Sequence, residues 1–106
     1  MRKTEKNILQ KPAEDMLKTM GIKYIRKQNN QYQQKYRRSS DKMFSGLPDL
    51  VIFFRHRNVV FVEFKLPTGD LSDKQIEWQE YLINHGYKYY VITDIEQFVG
   101  LVSRCR

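Results

Sequence analysis

Residues 46–65 read GLPDLVIFFRHRNVVFVEFK, and the fold turns on how this stretch is paired. Two apolar runs, Leu50 to Phe54 and Val59 to Phe64, flank Arg55-His56-Arg57-Asn58, a pattern that predicts a β-hairpin. Side chains alternate along a strand, so Val59, Phe61, Glu63 and Lys65 share one face while Val60, Val62 and Phe64 share the other. With the turn centred on His56, Asp49 and Glu63 each lie seven residues from the centre and fall directly opposite one another.

That placement has chemical consequences. Two opposite charges, Glu63 and Lys65, share one face of an otherwise apolar strand, which is costly unless they are paired or bind something. Neighbouring carboxylates raise one another's proton affinity unless a cation sits between them. Oxygen-only ligation by carboxylates, a backbone carbonyl and water suits Mg²⁺ or Mn²⁺ rather than zinc. Such an ion polarises a phosphoryl oxygen and activates water for in-line attack. Lys65 would then steady the attacking water or the charge building on the phosphorane oxygens. An ordinary Glu-Lys pair at a sheet edge, beside an unrelated turn aspartate, satisfies the same spacing.

Outward from the hairpin, Ile8, Leu9, Ala13, Met16, Leu17 and Met20 recur at helical spacing between Thr4 and Met20, and Gly21 stands where that helix would stop. Pro12 either begins or bends this helix. Ile22 to Lys27 alternates like a strand, and Gln28 to Ser40 is a polar, basic surface loop or ribbon. After Pro67-Thr68-Gly69-Asp70, Ser72 and Gln75 have the spacing of a capping box for a helix running to about Asn84 and ending at Gly86. Tyr87 to Ile92 reads as a buried strand. Thr93 and Glu96 repeat the capping spacing before a last helix with Ile95, Phe98, Val99 and Val102 on one face. The order helix, strand, hairpin, helix, strand, helix specifies an α/β layer fold with a mixed sheet.

The 106 residues, 41% hydrophobic, fit a single domain, 1–106, and contain no apolar run approaching the ~20 residues of a membrane span. So short a chain leaves much of its surface exposed, and dimerisation would cover part of it. Nineteen Lys and Arg against twelve Asp and Glu give a net charge of +7, which attracts polyanions and makes nucleic acid the natural partner. Cys105 is the only cysteine, which excludes an intramolecular disulfide and a cysteine zinc site. The first residues lack the apolar stretch of a signal peptide, so a cytoplasmic location is expected.

Taken together, Gly46-Leu47-Pro48-Asp49, Glu63-Phe64-Lys65, Gly69, Ser72 and Gln75 resemble the VRR-NUC group of the PD-(D/E)xK nuclease superfamily. The resemblance extends from the first helix through the strand ending at Ile92. It implies a restriction-endonuclease-like core, a mixed central sheet flanked by helices. It further implies that Asp49, Glu63 and the Phe64 carbonyl hold the metal, that Lys65 is the catalytic lysine, and that Gln75 faces the active site. A capping Gln75 and an active-site Gln75 compete for one side chain. Family members also carry a first-helix glutamate that reaches the metal, usually through water, for which Glu5 and Glu14 are the candidates. On a helical wheel Glu5 lies at the edge of the apolar face beside Leu9 and Met16, whereas Glu14 points almost oppositely, which favours Glu5.

Lys35, Arg37, Arg38 and Lys42 lie close in sequence to the turn presenting Asp49 and are the expected substrate-holding residues. His56, His85 and Trp78 are set aside as surface or packing residues, and Arg55 and Arg57 lie far from the Asp49 end of the hairpin. The resulting expectation is a homodimeric endonuclease that hydrolyses DNA with Mg²⁺ or Mn²⁺, uses no small-molecule cofactor and no membrane, and acts on branched DNA such as four-way (Holliday) junctions. A non-catalytic nucleic-acid-binding module and a subunit active only with a helicase or recombination partner are the alternatives. The first would have lost Asp49, Glu63 or Lys65, and all three are present.

Overall fold

The computed structural model describes residues 6–27 and 45–106. In chain order these form α1 (Lys6–Met20), β1 (Lys23–Arg26), β2 (Leu50–Phe53), β3 (Val59–Phe64), α2 (Asp73–Asn84), β4 (Lys88–Ile92) and α3 (Ile95–Cys105). The element order is the expected one. Among the described residues no helix is long and apolar enough to cross a membrane.

The four strands lie in the order β1-β2-β3-β4. β1 runs antiparallel to β2, β2 antiparallel to β3, and β3 parallel to β4, with α2 as the crossover that a parallel pair requires. The β2–β3 register pairs Leu50 with Val62, Val51 with Phe61, Ile52 with Val60 and Phe53 with Val59. This is the hairpin centred on His56, with Asn58 N–H donating to the Arg55 carbonyl at 3.1 Å to close the turn. His56 and Arg57 both take left-handed backbone angles, φ 60° and 61°. Two successive positive φ values match the right-handed twist of the flanking strands.

The alternation along β3 divides the molecule. Val60, Val62 and Phe64 join Leu50, Ile52 and Phe54 in one buried core with Leu9, Ala13 and Leu17 of α1 and Phe98, Leu101 and Val102 of α3. The other face carries Phe61 and Glu63, and α2 brings Gln75 to it. The sheet is therefore flanked by helices on both faces, as parallel pairing favours.

Some local expectations are corrected. α1 is one helix from Lys6 through Pro12, so proline neither begins nor interrupts it, and Pro12 faces solvent. β4 is a half-exposed edge strand, with Ile92 its buried residue, because only β3 pairs with it among the described residues. α3 is capped by Asp94, not Thr93: its carboxylate accepts from Gln97 N–H at 2.9 Å, while Thr93 N–H donates to the Gln97 side chain. The buried face of α3 is Phe98, Leu101 and Val102, and Val99, expected on that face, is 43% exposed.

Candidate active site

Asp49 follows Pro48 at the entrance to β2, where contacts of its own and of the preceding turn hold it. Its backbone carbonyl accepts from Lys27 N–H at 3.0 Å, continuing the β1–β2 pairing past Arg26. The Lys27 ammonium donates to the Leu47 carbonyl at 3.2 Å. Its side-chain Oδ2 accepts from Phe64 N–H at 2.9 Å, a bond that reaches across to the end of β3. The carboxylate is thus a built part of the hairpin's open end, and it is only 3% exposed.

Glu63 is the next partner in the register beyond Leu50–Val62, and it is wholly buried. Its Oε2 accepts from Gln75 Nε2 at 2.8 Å. The Gln75 Oε1 accepts from Ser72 N–H at 2.8 Å, and the Ser72 hydroxyl accepts from Gln75 N–H at 3.2 Å. The expected competition between two roles for Gln75 does not arise, because the oxygen of its amide closes the capping box while the nitrogen serves Glu63. Since the oxygen end is committed to a backbone donor, only the amide nitrogen can face Glu63.

Gly46 locks this arrangement from the other side. Its φ is +86°, and a Cβ there would stand 2.5 Å from the Lys74 carbonyl carbon and 2.8 Å from Gln75 N. Only glycine lets the turn that presents Asp49 lie against the helix turn that presents Gln75. Lys65 follows β3, its N–H donating to the Ile92 carbonyl at 3.0 Å and its half-buried side chain passing near Gly69.

Two buried carboxylates, one at the entrance to β2 and one near the end of β3, are hard oxygen donors suited to a divalent cation such as Mg²⁺ or Mn²⁺, and a lysine lies two residues beyond the second. Among the described residues no three His, Cys, Asp or Glu side chains come together, so a third carboxylate would have to come from elsewhere. Glu5 lies outside the described residues, as do Lys35, Arg37, Arg38 and Lys42.

Glu14 does not face away as the helical wheel suggests. It is 8% exposed, with Gln10 Nε2 donating to one oxygen at 2.8 Å and the Tyr24 hydroxyl to the other at 2.9 Å. β1 covers this side of α1, and Glu14 belongs to that contact rather than to the Asp49–Glu63 pair. His56 and His85 are exposed, and Trp78 lies edge-on to Tyr81 with ring centroids 6.3 Å apart.

Tyr89 also belongs to this neighbourhood. It pairs with Phe61, on the face that carries Glu63, and its hydroxyl is buried without a hydrogen-bond partner among the described residues. Burial, and then the charges of Glu63 and Asp49, push its phenol well above the usual tyrosine range. Nothing in the sequence marks it, because its neighbourhood depends on the β3–β4 register across a whole helix.

A model of the VRR-NUC domain family matches residues 3–93. Among solved structures, a VRR_NUC domain superposes with TM-score 0.70 and 20% identity, covering 95% of this chain and 97% of that one. A VRR_NUC domain protein superposes with TM-score 0.70 and 16% identity, covering 99% and 90%. No curated protein matches the sequence significantly.

Proposed function

Because the chain belongs to the VRR-NUC domain family, whose fold is of nuclease type, we propose that it is a divalent-metal-dependent endonuclease that hydrolyses DNA phosphodiester bonds. One observation carries the reading: Asp49 and Glu63, both buried, stand opposite one another at the open end of the β2–β3 hairpin, with Lys65 two residues on. Two buried carboxylates brought together supply the hard oxygen donors that a divalent cation takes.

Asp49 and Glu63, with the Phe64 carbonyl, would hold Mg²⁺ or Mn²⁺, and Glu5 would reach it through water. When bound, such an ion would supply Lewis acidity toward a phosphoryl oxygen and lower the pKa of the attacking water. Lys65, two residues beyond Glu63, would orient the nucleophile and offset charge on the phosphorane oxygens. Gln75 keeps the Glu63 carboxylate in one orientation through its 2.8 Å bond. Lys35, Arg37, Arg38 and Lys42 contact the DNA backbone, and the net charge of +7 supports a polyanionic substrate.

The preferred substrate is branched DNA such as a four-way junction, cut by a homodimer, since symmetric cutting needs two sites and one domain has one. Cleavage of labelled junction, flap and linear duplex DNA, with Mg²⁺, Mn²⁺ or chelator, tests this. Metal-dependent cutting by the wild type that is lost in Asp49→Ala and Lys65→Ala is the expected result. Tight binding of folded protein to DNA without cutting in any metal would overturn it.

A further inference from the structure

We propose that Tyr89 is a further cation-binding residue of this site, its hydroxyl hydrogen-bonding a water in the hydration shell of the ion held by Asp49 and Glu63. The inference rests on the metal-binding reading of that pair and adds a residue to it.

Three observations lead there. In the parallel β3–β4 register, Tyr89 stands beside Phe61, two residues before Glu63 on the same face. Its neighbour Tyr90 packs against the core, so Tyr89 is turned the other way, toward the carboxylates. Its hydroxyl is shut off from solvent yet has no hydrogen-bond partner among the described residues. Buried tyrosine hydroxyls almost always find a partner, so one with none among the described residues, on the face that carries Glu63, points to a group that arrives with the ligand.

The chemistry of the phenol says what kind of group: with an ordinary pKa of about 10 it is neutral at physiological pH. A neutral phenol is a poor direct ligand for a hard cation, but it donates and accepts hydrogen bonds. The hydration shell of a Mg²⁺ or Mn²⁺ ion, which keeps several waters, offers partners of both kinds. Outer partners of this sort contribute to metal affinity without touching the ion.

Tyr89→Phe removes only the hydroxyl, and Mn²⁺ titrated calorimetrically into wild type, Tyr89→Phe and Asp49→Asn separates the possibilities. Melting in chelator is measured alongside. The expected result is Mn²⁺ affinity weakened about tenfold in Tyr89→Phe, with a melting temperature in chelator equal to or above wild type, since a hydroxyl with no partner among the described residues makes no bond there to lose. A lower melting temperature in chelator would show a structural hydroxyl and overturn the proposal. Unchanged Mn²⁺ affinity in Tyr89→Phe, with binding lost in Asp49→Asn, would overturn it and leave the metal reading standing. Absence of Mn²⁺ binding to the wild type would overturn both.

Discussion

The Gln75 side chain donates to Glu63 at 2.8 Å while its carbonyl oxygen accepts the Ser72 N–H at 2.8 Å, so one amide joins the cap of α2 to the buried carboxylate of β3. Gln75→Glu would keep the capping acceptor and replace the donor with a second negative charge beside Glu63. This variant is expected to lose about 1–3 kcal/mol of stability in chelator. Glu63→Gln keeps an oxygen for Gln75 to bond but removes a charge that would hold the ion, so Mn²⁺ is expected to add little to its stability. Urea unfolding with and without Mn²⁺ checks both, and the ion is expected to stabilise wild type far more than Glu63→Gln.

Gly46 touches the same helix turn. Gly46→Ala combines a strained φ of +86° with a Cβ at 2.5 Å from the backbone of Lys74. It is expected to cost on the order of 3 kcal/mol from left-handed strain and overpacking together. Gly86→Ala shares φ +86° but has open space around its Cβ, so it is expected to cost only about 1–2 kcal/mol. Chemical denaturation of the two variants side by side measures the difference due to the contact with α2.

At the far end of the hairpin, His56 and Arg57 occupy left-handed conformations unsuited to their side chains. Replacing the pair with Asn-Gly is expected to raise stability by about 1 kcal/mol, because these residues favour two successive positive φ values. The midpoint of urea unfolding checks the gain.

Tyr24 gives the protein an alkaline limit. Burial, then its hydrogen bond to Glu14 and the Glu14 charge, raise its phenol above the ordinary value of 10.0. The folded state therefore holds this proton more tightly than the unfolded chain does. The contribution is fully present below pH 10.0 and is lost as pH rises through the folded value. Melting temperature is expected to fall in this range, and less steeply in Tyr24→Phe. At neutral pH that variant is expected to lose about 1–3 kcal/mol, since Glu14 then lacks its hydroxyl donor.

The sequence was informative where structure is local or symmetric. Strand alternation and the His56-centred turn are enough to set Asp49 opposite Glu63, and the Ser72–Gln75 spacing is enough to start α2. What depends on the approach of distant elements was hidden. A helical wheel gives the angle of Glu14 about its axis, but not that Tyr24 of β1 closes over it. Lys27, Gly46 and Tyr89 reach the site only through the β1–β2 pairing, the seating of α2 and the β3–β4 register. The dual service of Gln75 depends on α2 seating its amide against Glu63, which the Ser72–Gln75 spacing alone does not give.

The most direct measurement is the Mg²⁺-dependent cleavage rate of a labelled four-way junction by wild type and Glu63→Gln. That substitution keeps an oxygen for Gln75 to bond and removes only the charge that would hold the ion. A rate at least about 100-fold lower in Glu63→Gln, with unchanged fold and DNA binding, is the expected result. Equal cleavage by the two proteins would contradict the assignment of the Asp49–Glu63 pair as the catalytic metal site.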